Sequence, residues 1–328
     1  MINVSYAFLN ELPPMNHLRV KVLNASHNSI RNLWHDDMPR DIEDLDLNTN
    51  DIRNDGLLDV WPDTIKVLNL SYNPIFSLDQ VDVWPSRLIS LNISNTKLSG
   101  VFQGGFLPET LESLNISNTG ISRIHRFPKG LKEFIAVKTS LRVLPEVCND
   151  SLEKVVVSES WLMNWGIPIY WGKSLKYLDL NYNSLKDIPD GLPETLEYLN
   201  LSGNLIQQFP EKCNLPNSLK MFHANSNRIL KIPAWFLEFK KMQFTIHNNC
   251  LIKPVLTTNC LTDSCQWIGN KFISSAISIQ KIWRIRLLKR LIRTINRTLA
   301  LKDELLANAM HPSRATRFQD ISQEWLGS

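Results

Sequence analysis

The sequence predicts an α/β repeat solenoid: an arc with a parallel sheet on its concave side, a convex side of mostly extended segments and turns, and a C-terminal α-helical tail. Three observations lead there. A pattern of the form L-x-x-L-x-L-x-x-N recurs every 20 to 23 residues from Val20 onward. Proline-bearing segments separate the copies. Toward the C-terminus the apolar residues change to three- and four-residue steps inside a strongly basic run.

Residues 1–19 precede the first copy and are assigned to an N-terminal cap. About eleven copies then fill residues 20–251, starting at Val20, Ile42, Ile65, Leu88, Leu111, Leu131, Leu152, Leu175, Leu196, Leu219 and Lys241. Alternate side chains of a strand point to opposite faces, so the fourth and sixth positions of a copy share one face. That face is apolar throughout, as at Leu45 and Leu47, Leu68 and Leu70, or Val155 and Val157. No copy can bury it alone, but stacked copies form a continuous core behind a parallel sheet. The ninth position carries Asn28, Asn50, Asn73, Asn183, Asn204, Asn227 and Asn249, whose amides can satisfy the backbone of neighbouring turns. In the middle copies it becomes Thr96, Thr119, Thr139 and Ser160. A hydroxyl has less reach, so repeats four to seven are where altered curvature or local give is expected. The whole pattern resembles the leucine-rich repeat of cytosolic-type proteins.

The returns between strands contain Trp61-Pro62, Trp84-Pro85, Phe127-Pro128, Ile188-Pro189 and Phe209-Pro210, among others. Proline disfavours helix before it and lacks a ladder donor, so the convex side should be extended, with an occasional helical turn. Residues 163–174 form the least regular return. Triplets such as Asn92-Ile-Ser94 and Asn115-Ile-Ser117 match a glycosylation acceptor but fall inside the strand pattern, where they read as by-products of the repeat. The chain lacks a run of about 18 apolar residues, and Met1-Ile2-Asn3-Val4 does not open a signal peptide; a cytoplasmic location is the expectation. Cys148, Cys213, Cys250, Cys260 and Cys265 do not have paired zinc-ligand spacing, so neither a metal nor a cofactor is expected.

Beyond the repeats, residues 252–270 are assigned to a cap or linker, 271–310 to a basic amphipathic helix and 311–328 to a tail. Residues 266–328 hold 11 Lys plus Arg against 4 Asp plus Glu, while the preceding 265 residues hold 25 against 28. Ile282, Ile285, Leu288, Ile292, Ile295 and Leu299 fall on one helical side, and Arg286, Lys289, Arg290, Arg293 and Arg297 gather opposite. Such a helix suits the open end of a solenoid, a calmodulin-like groove, an anionic membrane or nucleic acid. Ile279, Gln280, Arg284 and Lys289 resemble the IQ motif, which implies a calmodulin-like partner, although Ile285 stands where that family has glycine. The tail Ala309-Met310-His311-Pro312-Ser313-Arg314, taken with the repeats, resembles proteins of large DNA viruses that infect protists and algae. That resemblance implies a host protein as partner and the host cytoplasm as location.

His27, His223 and His247 sit at strand positions without a nucleophile setting, and phosphate-cradling glycine loops are absent from a chain with 12 glycines. The chain is therefore not expected to be an enzyme. On the concave side the third, fifth, seventh and eighth positions project, and the fifth is commonly Asn or Asp. Repeats six and seven break this polar face with Ile135, Val137 and Val156, and the third position of repeats eight and nine supplies Tyr177 and Tyr198. Apolar and tyrosine side chains grouped on a concave face mark a hot spot. These five residues are the expected site for a protein partner.

Overall fold

The computed structural model describes residues 1–102, 107–212, 214–239 and 242–251. Each of the eleven repeat starts is followed, two residues on, by a three-residue strand. These are β2 (Val22–Asn24), β3 (Asp44–Asp46), β4 (Val67–Asn69), β5 (Ser90–Asn92), β7 (Ser113–Asn115), β9 (Glu133–Ile135), β10 (Lys154–Val156), β11 (Tyr177–Asp179), β12 (Tyr198–Asn200), β13 (Met221–His223) and β14 (Gln243–Thr245). They pair in parallel, each with the strand of the next turn, and equivalent repeat positions stand opposite one another. A further strand, β1 (Ile2–Asn3), completes a 12-stranded sheet.

β1 lies in the segment expected to be a cap, and it is a shortened copy of the repeat. Ile2 stands opposite Leu23, the Val4 amide donates to the Asn24 carbonyl at 2.8 Å, and the Leu9 amide donates to Asn28 Oδ1 at 3.0 Å. Its ninth position is Ala7, so the asparagine signal that marks other copies is missing from the sequence.

One core runs the length of the solenoid. The fourth position is fully or almost fully buried in every turn, from Leu23, Leu45 and Leu68 through Phe134 and Val155 to Phe222 and Phe244. The ninth-position asparagines hold successive turns together. Asn50 Nδ2 donates to Leu47 O in its own turn and to Ala25 O in the preceding one, both at 3.0 Å, while its Oδ1 accepts the Ile30 amide at 3.0 Å. Asn73, Asn183, Asn204, Asn227 and Asn249 repeat this arrangement. Thr96 and Thr119 donate only within their own turns, to Ile93 O at 2.9 Å and Ile116 O at 2.7 Å. Thr139 and Ser160 link their turns through a 2.9 Å hydroxyl contact.

The convex side is extended, with 3-10 turns at His35–Asp37, Asn54–Gly56, Asn164–Gly166 and Ala234–Glu238. Asn164–Gly166 falls in the return expected to be least regular. A second parallel sheet, β6 (Ser99–Phe102) with β8 (Gly120–Ile124), lies in the two turns whose ninth residues are Thr96 and Thr119. A single bridge from Arg123 to Val143 carries it toward the next turn. Backbone bonding thus thickens where the side-chain ladder loses its amide. Among the described residues no helix is long and apolar enough to cross a membrane. The expected cap or linker, helical tail, IQ-like motif, basic face, Cys213, Cys260 and Cys265 lie outside the described residues.

Candidate functional site

The concave surface is built from a rule that links neighbouring positions. After each strand the eighth residue turns left-handed, with φ between 49° and 57° at Tyr6, His27, Thr49, Tyr72, Asn95, Asn118, Lys138, Glu159, Tyr182, Ser226 and Asn248. Each such residue costs roughly 1 kcal/mol, so the turn needs support. The fifth-position side chain provides it by accepting the seventh-position amide. Asn24 Oδ1 accepts Ser26 N at 3.0 Å, Asp46 accepts Asn48 N at 3.0 Å, Asn115 accepts Ser117 N at 3.0 Å, and Asp179 accepts Asn181 N at 3.0 Å. Asn69, Asn92 and Asn200 do the same. This bond explains why N-x-S triplets recur along the chain.

Ile135 and Val156 occupy the same fifth position and cannot make the bond. In repeat six the Val137 amide instead donates back to Ser117 Oγ of the previous turn at 3.0 Å. The same substitution serves repeats ten and eleven, where Asn225 N donates to Ser202 Oγ at 3.3 Å and His247 N to Asn225 Oδ1 at 3.1 Å. Ile135 and Val156 stand opposite each other on β9 and β10, beside Val137. All three are half-buried.

Tyr177 and Tyr198 form a second group. Their rings stack with centroids 4.2 Å apart and planes 1° from parallel, and Tyr198 meets the His223 ring at 5.4 Å. Lys154, on the same strand as Val156, places its ammonium 5.7 Å from the centre of the Tyr177 ring and pairs with Glu133 at 2.7 Å. Burial raises the Tyr198 hydroxyl pKa, helped by the neighbouring Tyr177 hydroxyl, and burial lowers that of His223. Both are neutral near pH 7. Beneath them Asp179 is buried, accepts Asn200 Nδ2 at 3.3 Å, and is held above its ordinary pKa by desolvation.

The five residues named from the sequence therefore divide into an aliphatic group on and beside β9 and β10 and an aromatic pair on β11 and β12. None is among the most exposed apolar side chains. Those include Tyr72, Phe76, Trp161 and Tyr182, which stand where the chain leaves the sheet. The signal for them was present in the alignment of copies: the eighth and tenth positions are mostly small or polar, and Tyr72, Trp161 and Tyr182 depart from that. Tyr182 lays its ring over Gly203, whose φ is +69°; a Cβ there would collide with it. Among the cysteines, burial raises Cys148 to about 12, leaving it inert, and Cys250 is a half-buried free thiol. Among the described residues no group of three metal-ligating side chains converges.

This architecture defines a leucine-rich repeat solenoid. Residues 173–229 match the leucine rich repeat family model. A 62-residue stretch is 37% identical to chicken (Gallus gallus) fibromodulin, covering 19% of this chain and 16% of that protein. An 87-residue stretch is 31% identical to pig (Sus scrofa) fibromodulin, covering 26% of this chain and 59% of the relative. The fold is similar to YopM from Yersinia enterocolitica WA-314, with 24% identity and a TM-score of 0.62 over 81% of this chain and 58% of that one. It is also similar to the LRIM1/APL1C complex, with 17% identity and a TM-score of 0.57.

Proposed function

We propose that this chain is a non-enzymatic interaction scaffold that binds a protein partner on its concave face, through Ile135, Val137, Val156, Tyr177 and Tyr198. One observation carries the reading. The fifth position supports its turn wherever it is Asn or Asp, and at Ile135 and Val156 that support is replaced by half-buried aliphatic surface on the concave face that adds nothing to the buried core. A side chain that departs from the local pattern and stays only half-buried is best accounted for by a contact outside the chain. The adjoining tyrosine pair supplies rigid aromatic area of the kind that dominates protein interfaces. Strand spacing makes the sheet about 50 Å long, enough for a domain-sized partner. Leucine-rich repeat chains are found in protein complexes, as in the LRIM1/APL1C assembly, and this supports a protein rather than a small molecule.

A second reading places the function on the basic run at Arg286, Lys289, Arg290, Arg293 and Arg297, acting on a calmodulin-like protein, a membrane surface or nucleic acid. The absence of any acidic residue from Gln266 to Lys302 favours it. Affinity capture with the full chain separates the two. The Ile135→Asn/Val156→Asn variant, which restores the turn bond, is expected to fold with unchanged stability and to lose about tenfold in partner affinity, about 1.4 kcal/mol. A partner that survives this change, but is lost when the five basic residues become Gln, would move the function to the tail.

A further inference from the structure

The two rims of the concave sheet carry different electrostatics. Where the strands begin, charges alternate from turn to turn and are matched. Glu43 sits between Lys21 and Lys66 at 2.7 Å from each, and Lys132–Glu112, Lys176–Glu153 and Lys220–Glu197 pair at 2.8, 2.9 and 2.8 Å. Where the strands end, at the eighth to thirteenth positions, exposed Arg31, Arg53, Lys97, Arg123, Arg142 and Lys186 outweigh Asp51, Glu159 and Asp187. Glu159 is already held by Lys138 at 3.6 Å. Among the described residues none of those six cations takes part in an ion pair. Turns only about 4.8 Å apart make a row of like charges self-repelling, so this rim gains from an anionic partner where the other rim does not.

Exposed aromatic side chains lie on the cationic rim. Trp161 and Tyr182 are 59% and 60% exposed and occupy adjacent turns between Arg142 and Lys186, with Met163 beside them. The group adjoins Val137 and Val156 along the chain, because Lys138 and Glu159 lie three residues past the ends of β9 and β10.

We propose that the turn rim from Arg123 to Lys186 binds an acidic, extended segment of a protein partner, with carboxylates on Arg123, Arg142 and Lys186 and apolar side chains against Trp161, Met163 and Tyr182. This rests on the reading of the solenoid as a protein scaffold, but it uses side chains that the concave site does not. A nucleic-acid strand fits less well. Its phosphates would meet Glu159 and Asp187 on the rim, and beside the two ring planes of Trp161 and Tyr182 the aliphatic Val137, Val156 and Met163 offer nothing for base stacking. An acidic peptide with interspersed apolar residues matches both features.

The test is fluorescence anisotropy with the full chain and three labelled probes: a peptide of alternating Glu and Leu about twelve residues long, the same peptide with Gln for Glu, and an oligothymidylate of similar length. The acidic peptide is expected to bind about tenfold more tightly than the Gln peptide and the oligothymidylate. Arg142→Glu/Lys186→Glu and Trp161→Ala/Tyr182→Ala should each weaken it by about tenfold, whereas Arg142→Lys/Lys186→Arg should retain it. Circular dichroism checks that each variant is folded. Equal binding of the Gln peptide, tighter binding of the oligothymidylate, or loss of binding only when the five tail cations become Gln would each overturn the proposal. Loss only in Ile135→Asn/Val156→Asn would overturn it too, while leaving the concave reading intact. Rim variants that fail with a concave variant that binds normally would support the rim and count against the sheet face.

Discussion

At the residue scale, the same side-chain types serve opposite purposes according to register. Asp179 and Asn200 are equivalent fifth-position residues that both accept a seventh-position amide, yet only Asp179 carries a charge that burial penalises. A carboxyl whose folded pKa is raised costs stability wherever it is ionised, and the cost vanishes below the ordinary carboxylate range near about pH 4. Asp179→Asn keeps the acceptor for the Asn181 amide, exchanges the oxygen that accepts Asn200 Nδ2 for an amide donor, and removes the charge. Its thermal midpoint should exceed that of the parent at pH 7, and the gap should close as the pH falls below about 4; an equal gap at both ends would mean the charge is not the cause. Glu43 has the opposite sign, held down at about 2 by hydrogen bonds from Lys21 and Lys66, so what it contributes is fully present above the usual carboxylate range and is lost progressively as the pH falls from there to about 2. The ninth position gives a second comparison. Asn204→Ala strands buried groups in two turns and should cost about 2–4 kcal/mol in urea unfolding, whereas Thr119→Ala removes one bond within a turn and should cost about 0.5–1.5. Similar losses at both positions would mean that the amide does not bridge turns.

At the element scale, the concave strands are the part most directly written in the sequence. Eleven strands begin two residues after the leucine-type starts because the fourth and sixth positions leave the chain only one face to bury. The convex side was legible only as a tendency. Proline indicated extended returns, but the pairing of β6 with β8 depends on how closely two turns approach, and apolar period does not encode that distance. β1 was hidden because Ala7 replaces the asparagine by which copies are recognised. The candidate site was half legible: Ile135, Val156, Tyr177 and Tyr198 stood out against the polar face, whereas the stacking of the tyrosines and the unpaired rim follow from contacts between turns. Glycine at the 3-10 turns is another such contact. A Cβ on Gly166 would run into the Arg142 carbonyl oxygen of the preceding turn, and Gly56 meets Arg31 in the same way. Backbone cannot swing aside as a side chain can. Gly166→Ala should therefore cost about 3 kcal/mol in chemical denaturation. A loss under about 1 kcal/mol would show that the turns are not packed this tightly.

At the scale of the whole molecule, a solenoid is a row of nearest-neighbour interfaces, and its cooperativity is set by the weakest of them. Asparagine bridges tie together the turns at both ends of the described solenoid, as at Asn50 and Asn73 and again from Asn183 to Asn249. Between them, Thr96 and Thr119 contribute no amide, and β6–β8 supplies backbone bonds in their place. The second sheet adds backbone coupling between the two bridged blocks, beside the concave sheet and the core that run through both, and is expected to hold them in one folding unit. Ser122→Pro tests this, because proline locks φ inside β8 at its register irregularity and removes the bond from Ser122 Oγ to Gly100 O at 3.0 Å, while leaving the concave strands untouched. The parent chain should unfold in urea in one transition over these repeats. The variant should show two, with hydrogen exchange in β2–β4 and in β11–β13 becoming unequal as the blocks separate. A single transition displaced to lower urea would mean that hydrophobic stacking alone transmits cooperativity through the threonine turns. In that case local give in repeats four to seven would have to be sought in the side-chain ladder rather than in the convex sheet.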